Sequence, residues 1–282
     1  MRLMRTTPLR VLSDRDLPEA LALLDDDPVS NVFVTSRVRA VGLNPARLGA
    51  EVWGYVSGGR LTSLCYAGAN LVPVNATPAA VEAFAGRARW QGRRCSSIVG
   101  PAEPVERLWG LLRPHWGPPR TVRECQPVMS ICSPPAVPPD PAVRRVRREE
   151  LDLVFPACVA MFTEEVGVSP DGGDGGVLYR SRVSELVRLG RSFARIDDGQ
   201  VSFKAEIGAI TSQACQVQGV WVPPWLRGER LAGAGVSAVV AEALRSVAPT
   251  VTLYVNSFNA PARATYRRVG FTEVGAFMSV LF

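Results

Sequence analysis

A short segment near the C-terminus combines the residue types that a phosphate site needs. A strand leads into a basic turn that opens a helix, and the turn runs Arg227-Gly228-Glu229-Arg230-Leu231-Ala232. The first N–H groups of a helix have no partner within the helix, so they can bind phosphate oxygens. Gly228 gives the backbone freedom to bend, and the two arginines add positive charge. The segment predicts a pyrophosphate-binding turn, although an ordinary strand-to-helix turn with solvated arginines has the same residues.

A second segment follows this turn after one predicted helix and one predicted strand. Its informative residues are Asn259, Ala262, Tyr266, Gly270 and Phe271. In this order and at this spacing, the two segments together resemble the GCN5-related N-acetyltransferase (GNAT) superfamily. The resemblance is strongest over the last quarter of the chain and extends more weakly over its C-terminal half. It implies that acyl-CoA, most simply acetyl-CoA, is the cosubstrate.

The resemblance also assigns roles to single residues. Tyr266 would protonate the departing CoA thiolate, which suits a phenol whose ordinary pKa is about 10. A packing tyrosine on the last helix is the alternative. Asn259 would orient the pantetheine arm or simply cap the helix, and Ala262 would adjoin the cofactor.

The strand before the basic turn has an implied role of its own. In the superfamily, this strand separates from its neighbour at a bulge, and its unpaired amides hold pantetheine and the thioester carbonyl. The resemblance places that role on the N–H groups of Val220 and Val222, with Trp221 between them. A donor aimed at a developing oxyanion accelerates acyl transfer.

The chain departs from the superfamily pattern at two points. Arg230 stands where the turn usually has a second glycine, which puts the affinity for CoA in question. The strand that often carries a glutamate as general base offers Gln216 and Gln218, and neither amide can take up a proton.

The preceding strand offers a substitute base. Strand alternation places Ser202, Lys204 and Glu206 on one face. We expect Glu206 to accept the amine proton directly or through water, with a salt-bridged or solvated glutamate as the equal alternative. Glu164 and Glu165, at the end of a predicted helix, are weaker candidates for contacts with a cationic acceptor. The opposite face of the strand is predicted to carry Val201, Phe203, Ala205 and Ile207.

The elements that must position these residues form two halves. Residues 133–141 contain five prolines and predict an extended linker. We expect domains at residues 1–132 and 142–282. The fold class is α/β (α+β), with two GNAT-like domains, each a mixed central sheet flanked by helices. The N-terminal domain reads as a degenerate copy without a pyrophosphate turn, so we expect it to lack CoA and to shape the acceptor site.

Local signals mark several of these elements. Ser57-Gly58-Gly59 predicts a hairpin turn. Thr77 and Pro78 predict the start of a helix that runs to Trp90, and Ser30 predicts the cap of a helix that runs to Val38. Pro156 predicts a kink or a break within a helix over residues 149–165. A glycine-rich loop is predicted over residues 169–176.

Composition excludes several classes of function. No apolar run reaches the roughly 18–20 residues of a membrane span, and the first residues lack the apolar segment of a secretory signal. We therefore expect a soluble cytoplasmic protein. The six cysteines form no CxxC pair and His115 is the only histidine, so we expect no metal site and no disulfide framework. The net charge is +6, but the arginines are scattered rather than clustered with aromatic residues, which argues against nucleic acid as a partner.

The sequence thus predicts an acyl-CoA-dependent N-acetyltransferase that moves an acetyl group to a primary amine by direct attack. The amine acceptor, a small molecule or a protein, is not determined, and neither are the acyl chain length and the oligomeric state; a homodimer is one state it allows. One alternative is a protein that binds acyl-CoA as a ligand or sensor without turnover. Another is a tandem acyltransferase that makes a small thiol or a modified amino sugar.

Overall fold

The computed structural model describes residues 8–170 and 176–282. Most of the predicted glycine-rich loop over residues 169–176 lies outside these ranges. The described residues form two compact units. The first contains the chain up to Val128, together with Tyr254–Phe258 and Glu273–Phe282; the second contains Met129–Leu253 and Asn259–Thr272.

One order of elements occurs twice along the chain, namely a strand, two helices, three strands, a helix, a strand, a helix and a strand. A short additional helix, α3 (Pro45–Leu48), interrupts only the first series. The first series is β1 (Leu9–Val11), α1 (Leu17–Asp25), α2 (Val32–Val41), β2 (Glu51–Ser57), β3 (Arg60–Ala67), β4 (Asn70–Val74), α4 (Pro78–Gln91), β5 (Ser97–Pro101), α5 (Ala102–Trp116) and β6 (Thr121–Ile131). The second series is β7 (Arg144–Arg145), α6 (Leu151–Val166), α7 (Val177–Arg188), β8 (Ser192–Asp197), β9 (Gln200–Ile210), β10 (Cys215–Trp221), α8 (Leu231–Ser246), β11 (Val251–Tyr254), α9 (Ala260–Val269) and β12 (Thr272–Leu281).

In the first unit, the strands lie in the order β1-β2-β3-β4-β5-β12-β6. The last strand of the chain therefore pairs antiparallel with β5, from Phe277 opposite Pro101 to Leu281 opposite Ser97. Successive residues of β3 point to opposite faces. Leu64 packs in a core with α1 and α2, and Cys65 packs in a core with α4 and α5. Helices thus cover both faces of this sheet.

In the second unit, the strands lie in the order β11-β10-β9-β8-β7. β10 runs antiparallel to β9 and parallel to β11, and α8 makes the crossover that a parallel pair requires. Helix α8 packs closely over β9, because a Cβ atom on Gly235 would lie 2.6 Å from the ring of Phe203. This contact explains why a glycine follows the basic turn at that position.

The domains at residues 1–132 and 142–282 stay a prediction. The proline-rich segment belongs to the second unit, where the N–H of Ala136 bonds to the carbonyl of Val269 and the N–H of Asp140 to that of Ala234. Most of the C-terminal strand, Glu273–Phe282, belongs to the first unit.

Two local predictions need correction. The second helix begins after Asn31, not Ser30, whose N–H bonds instead to the side chain of Asp27. Of the kink and the break predicted at Pro156, the break does not occur, since α6 runs unbroken from Leu151 to Val166. Position 156 is the sixth residue of this helix, so the proline removes the bond that an N–H there would donate to the carbonyl of Asp152, and the helix continues on either side of that missing bond. The predicted cap at Thr77 is confirmed, with its Oγ1 accepting from the N–H of Ala80 at 3.3 Å.

Candidate active site

The candidate site lies where β10 stops pairing with β11 and its register with β9 shifts. On one side, the parallel ladder with β11 consists of two pairs, Cys215 with Val251 and Gln216 with Thr252. Beyond Gln216, the rest of β10 is not paired with β11. The resemblance predicts a separation of this strand at Val220, Trp221 and Val222, and their role in holding a thioester stays a prediction.

On its other side, β10 contains a bulge. Gln218 pairs with Glu206 and Trp221 with Lys204, so three steps along β10 match two steps along β9. The extra residue is accommodated at Gly219, whose φ is +60°. A bulge bends its strand and redirects the side chains beside it. Trp221 and Val222 are buried, whereas Val220 is half-buried.

Gly219 faces the charged residues of β9. A Cβ atom at this position would lie 3.1 Å from Met161 Cε, 3.3 Å from Lys204 Nζ and 3.4 Å from Glu206 Oε2. Both its backbone conformation and its neighbours therefore favour glycine. The sequence alone does not identify Gly219 as a bulge residue, because a single glycine within an apolar strand is recognisable as one only when the strand register is known.

Glu206 and Lys204 form an ion pair that is almost completely buried, with side-chain exposures of 5% and 1%. Lys204 Nζ donates to Glu206 Oε1 at 2.6 Å. Burial alone would lower the pKa of Lys204, but the charge of Glu206 and the hydrogen bonds around the ammonium outweigh it, so the pKa is raised. Among the alternatives for Glu206, the structure thus shows a salt-bridged residue, yet one whose second oxygen lies beside the bulge.

A thiol and an amide complete the surroundings of this ion pair. Cys158 Sγ lies 3.8 Å from Glu206 Oε1, and Gln218 Nε2 lies 3.5 Å from Glu206 Oε2. Burial is the main cause that raises the pKa of Cys158 to about 11, so the thiol stays protonated at neutral pH. Tyr179 donates from its hydroxyl to the carbonyl of Cys158 at 3.0 Å. Helices α6 and α7 therefore cover this end of β9 and β10.

The face assignment on β9 needs one correction. Phe203 lies under α8 and Glu206 faces α6, as alternation predicts. Val201, however, packs against Ala157 and Met161 on the α6 side. The register between β8 and β9 shifts between Arg195 and Ile196, which leaves an extra residue on β9 and interrupts the alternation. Ser202 turns its hydroxyl to the carboxylate of Asp197, at 2.6 Å.

The basic turn follows a single turn of 3₁₀ helix at Pro224–Leu226. Arg230 is the residue that precedes α8, and it adopts a left-handed conformation with φ +62° and ψ 9°. That conformation explains why a glycine would suit this position better. The turn is exposed at residues 227–230 and half-buried at Leu231 and Ala232.

Arg227 has protein partners in this turn. Its Nε donates to the carbonyl of Val222 at 3.0 Å, and its Nη2 lies 2.6 Å from Glu164 Oε2. Glu164 Oε1 also accepts from Trp221 Nε1 at 3.1 Å. Glu164, rated from the sequence as a weak candidate for contacts with an acceptor, thus links the end of α6 to the turn.

The remaining predicted residues lie on α9. Tyr266 is buried, packs edge-on against Phe271 with ring centroids 5.9 Å apart, and has a pKa raised by burial. A phenol held in its protonated form retains the proton that a general acid must donate. Asn259 is exposed and caps α9, with Oδ1 accepting from the N–H of Ala262 at 3.2 Å. Of the two readings of Asn259, the structure shows the cap.

Comparison with known proteins gives the fold a name. A family model described as a domain of unknown function (DUF4081) matches residues 50–154. No curated protein matches the chain. Among solved structures, the chain is similar to a GCN5-related N-acetyltransferase from Sphaerobacter thermophilus, with a TM-score of 0.62 and 16% identity over 97% of this chain and 95% of the other.

Two further structures extend the likeness. One is an acetyltransferase from the GNAT family of Colwellia psychrerythraea, with a TM-score of 0.58 and 14% identity over 97% of this chain and 99% of that one. The other is a tandem GNAT protein from the clavulanic acid biosynthesis pathway, with a TM-score of 0.55 and 14% identity over 97% and 98% of the two chains. The chain therefore has the fold of the GNAT acetyltransferases over nearly its whole length.

Residues 8–170 and 176–282 contain no group of His, Cys, Asp and Glu side chains placed to hold a metal ion. Within the same ranges, every helix is too short or too polar to cross a membrane.

Proposed function

We propose that the second unit is an acyl-CoA-dependent N-acyltransferase, with acetyl as the simplest acyl group and a primary amine as the acceptor. The observation that carries this proposal is the early end of the β10–β11 ladder at Gln216 with Thr252, beside the bulge at Gly219. Amides left without a ladder partner provide donors for a thioester carbonyl, and the turn that follows opens the helix α8.

Each part of the reaction has a candidate residue in this chain. The amides of Val220 and Val222 hold the thioester carbonyl, and the turn from Arg227 to Ala232 receives the pyrophosphate. The amine attacks the carbonyl carbon, the C–S bond breaks, and Tyr266 gives its proton to the CoA thiolate. Glu206 takes the proton of the amine, directly or through water.

Lys204 limits which oxygen of Glu206 can accept the proton of the amine. Its ammonium lies 2.6 Å from Oε1 of Glu206 and occupies that carboxylate oxygen. The other oxygen, Oε2, lies beside the bulge. We propose that the proton leaves through Oε2 and a water molecule, with Lys204 holding the carboxylate in place.

The same ion pair favours a second candidate function. The carboxylate of Glu206 already has a buried ammonium as its partner, as expected of a protein that binds acyl-CoA as a ligand or sensor without turnover. The tandem acyltransferase of small-thiol synthesis differs only in its acceptor. For either enzyme, the tandem arrangement agrees with the order of elements that occurs twice along the chain.

Calorimetric titration with acetyl-CoA tests the binding step. The pair Arg227→Ala, Arg230→Ala should weaken binding at least tenfold, because two positive charges leave the turn. The pair Arg148→Ala, Arg188→Ala removes the same charge from exposed sites of the second unit and should bind as the wild type does. No binding by the wild type, or equal effects of both pairs, would rule out the proposed cofactor site.

Release of CoA in the presence of a panel of primary amines separates the two functions. Turnover that depends on an amine supports the transferase. Tight binding of acetyl-CoA without turnover toward any amine supports the sensor instead.

A further inference from the structure

The first unit contains a cavity of about 380 Å³ that the proposed reaction does not use. It lies among the start of β2, the turn between β3 and β4, and the C-terminal ends of α4 and α5. All residues that line it belong to the first unit. Its volume falls within the range of small-molecule sites, about 300–1,000 Å³.

A carboxylate with one satisfied and one unsatisfied oxygen stands at the wall of this cavity. Glu51 Oε2 accepts three hydrogen bonds, from Trp53 Nε1 at 2.7 Å, Arg87 Nη2 at 3.0 Å and Gln91 Nε2 at 3.1 Å. Within the described residues, Oε1 accepts none. The side chain is 33% exposed. Three donors thus fix the carboxylate while one oxygen is left for a further donor.

The same three donors keep Glu51 ionised. Burial opposes ionisation, but the hydrogen bonds from Trp53, Gln91 and Arg87 outweigh it and lower the pKa of Glu51. Arg87 also lies over the ring of Trp53, 5.3 Å from its centroid. The carboxylate therefore has a preorganised support, as a binding group requires.

Groups of the opposite kind line the other parts of the cavity. Arg94 is exposed and forms no ion pair with another described residue. Trp116 Nε1 is inaccessible to solvent and has no acceptor among the described residues. A buried N–H without an acceptor is uncommon in native structures, but a ligand in the cavity cannot contact an atom that solvent does not reach, so Arg94 is the group that offers positive charge to an anion.

The apolar part of the wall includes the aliphatic side chains of Ala67, Leu71 and Ala88. Gly49 and Gly92 also line the cavity, and a Cβ atom at either would have no neighbour within 4 Å. The cavity thus has room for a short aliphatic group between its charged residues.

We infer that this cavity binds a small zwitterion of the amino-acid type, whose ammonium bonds to Glu51 Oε1 and whose carboxylate is held by Arg94. An aliphatic side chain then packs on the alanine-lined wall. The site is separate from the acyl-CoA turn of the second unit and does not depend on the proposed transferase activity. It gives a binding function to the unit that lacks a pyrophosphate turn.

Binding of L-leucine to the full chain, measured by ligand-observed NMR and calorimetry, tests this inference. We expect saturable binding with a dissociation constant of about 1 mM or tighter. 4-Methylpentanoate lacks the ammonium and 3-methylbutylamine lacks the carboxylate. Each should bind at least tenfold more weakly than L-leucine, because each leaves one charged group of the cavity without a partner. The other standard L-amino acids, tested in the same way, define the preferred side chain.

Matched variants locate the binding site. Glu51→Gln and Arg94→Met should each weaken binding of the best amino acid at least tenfold. Glu103→Gln and Arg89→Met change the same residue types at exposed positions outside the cavity and should have no effect. Because Glu51→Gln disturbs three hydrogen bonds, Ala67→Leu provides a variant that fills the cavity and leaves those bonds intact.

Each outcome of these experiments either supports the zwitterion site or overturns it. Loss of binding in Glu51→Gln, Arg94→Met and Ala67→Leu, with folding verified by circular dichroism, supports the zwitterion site. Absence of saturable binding by every standard amino acid overturns it. So does wild-type affinity in a folded Ala67→Leu variant, or an affinity for 4-methylpentanoate equal to that for the amino acid, which would indicate an anion site at Arg94 alone.

Discussion

Lys204 and Glu206 lie two residues apart on β9, and Nζ of the one is 2.6 Å from Oε1 of the other in the interior of the second unit. Lys204 is also the only lysine in the chain. A buried charge is tolerated when it is paired, so each residue of this pair makes the other acceptable.

Removal of the ammonium should destabilise the protein strongly. In Lys204→Met, Glu206 keeps a buried charge without its partner, and we expect a loss of about 3–5 kcal/mol in the free energy of unfolding. The double variant Lys204→Met, Glu206→Leu should recover part of that loss. Arg107→Met breaks an exposed pair with Glu82 and should cost less than about 1 kcal/mol. Urea unfolding measures all three, and a loss no greater than that of Arg107→Met would contradict the prediction.

The bulge at Gly219 should not tolerate a side chain. Gly219→Ala adds a methyl group 3.1 Å from Met161 Cε in a backbone conformation with φ +60°. Gly167→Ala also places a side chain on a residue with positive φ, here +80°, but its added methyl group has no atom within 4 Å. Left-handed conformations cost roughly 1–2 kcal/mol for residues with a Cβ. Gly219→Ala should therefore lower the free energy of unfolding by more than Gly167→Ala does, and equal losses would show that crowding has no part.

Arg230 carries backbone strain that glycine would relieve. Arg230→Gly and Arg230→Ala remove the same charge, but only glycine adopts φ +62° without penalty. We expect the glycine variant to be more stable than the alanine variant by about 1 kcal/mol, as measured by guanidinium unfolding. Equal stabilities would mean that the turn relaxes when the side chain is shortened.

Replacement of Tyr266 should slow turnover without weakening the binding of acetyl-CoA. If its hydroxyl protonates CoA, Tyr266→Phe lowers kcat by about 100-fold or more, while the calorimetric Kd for acetyl-CoA stays within about twofold of the wild type. Tyr55→Phe, in the first unit, provides the matched control. An unchanged kcat would leave Tyr266 as a packing residue, and a large rise in Kd would assign it to the binding of the cofactor.

Glu150 should make the protein sensitive to acid. Its hydrogen bonds to Arg144 outweigh the effect of burial and hold the pKa of Glu150 at about 2, below the ordinary value of 4.5. A depressed carboxyl pKa stabilises the folded state above about pH 4.5, and that contribution is lost as the pH falls toward 2. Solvent screens this partly exposed pair, so the contribution is about 1 kcal/mol or less.

The matching experiment compares Glu150→Gln with the wild type across this range. The variant should be less stable at pH 7, and the difference should disappear near pH 2. Glu185→Gln, which changes an exposed carboxylate, should show no such trend. A difference that persists unchanged at low pH would point to packing rather than charge.

Much of the local structure could be predicted from the sequence. The hairpin turn around Gly58, the cap at Thr77 and the turn before α8 each depend on residues close together in the chain, and the structure contains all three. The two-part resemblance near the C-terminus likewise led to the fold, because its residues occur in a fixed order along one segment. The roles of Tyr266 and of the Arg227–Ala232 turn remain predictions.

Other features depend on contacts between distant segments, and only the tertiary structure decided them. The sequence cannot specify that Glu164 pairs with Arg227, since these residues meet only when the end of α6 packs beside the turn. The bulge at Gly219 and the shift at Ser202 arise from strand register, which sets the face of every later side chain. The sequence by itself thus determined which local elements form, whereas packing and register decided the partners of Glu206.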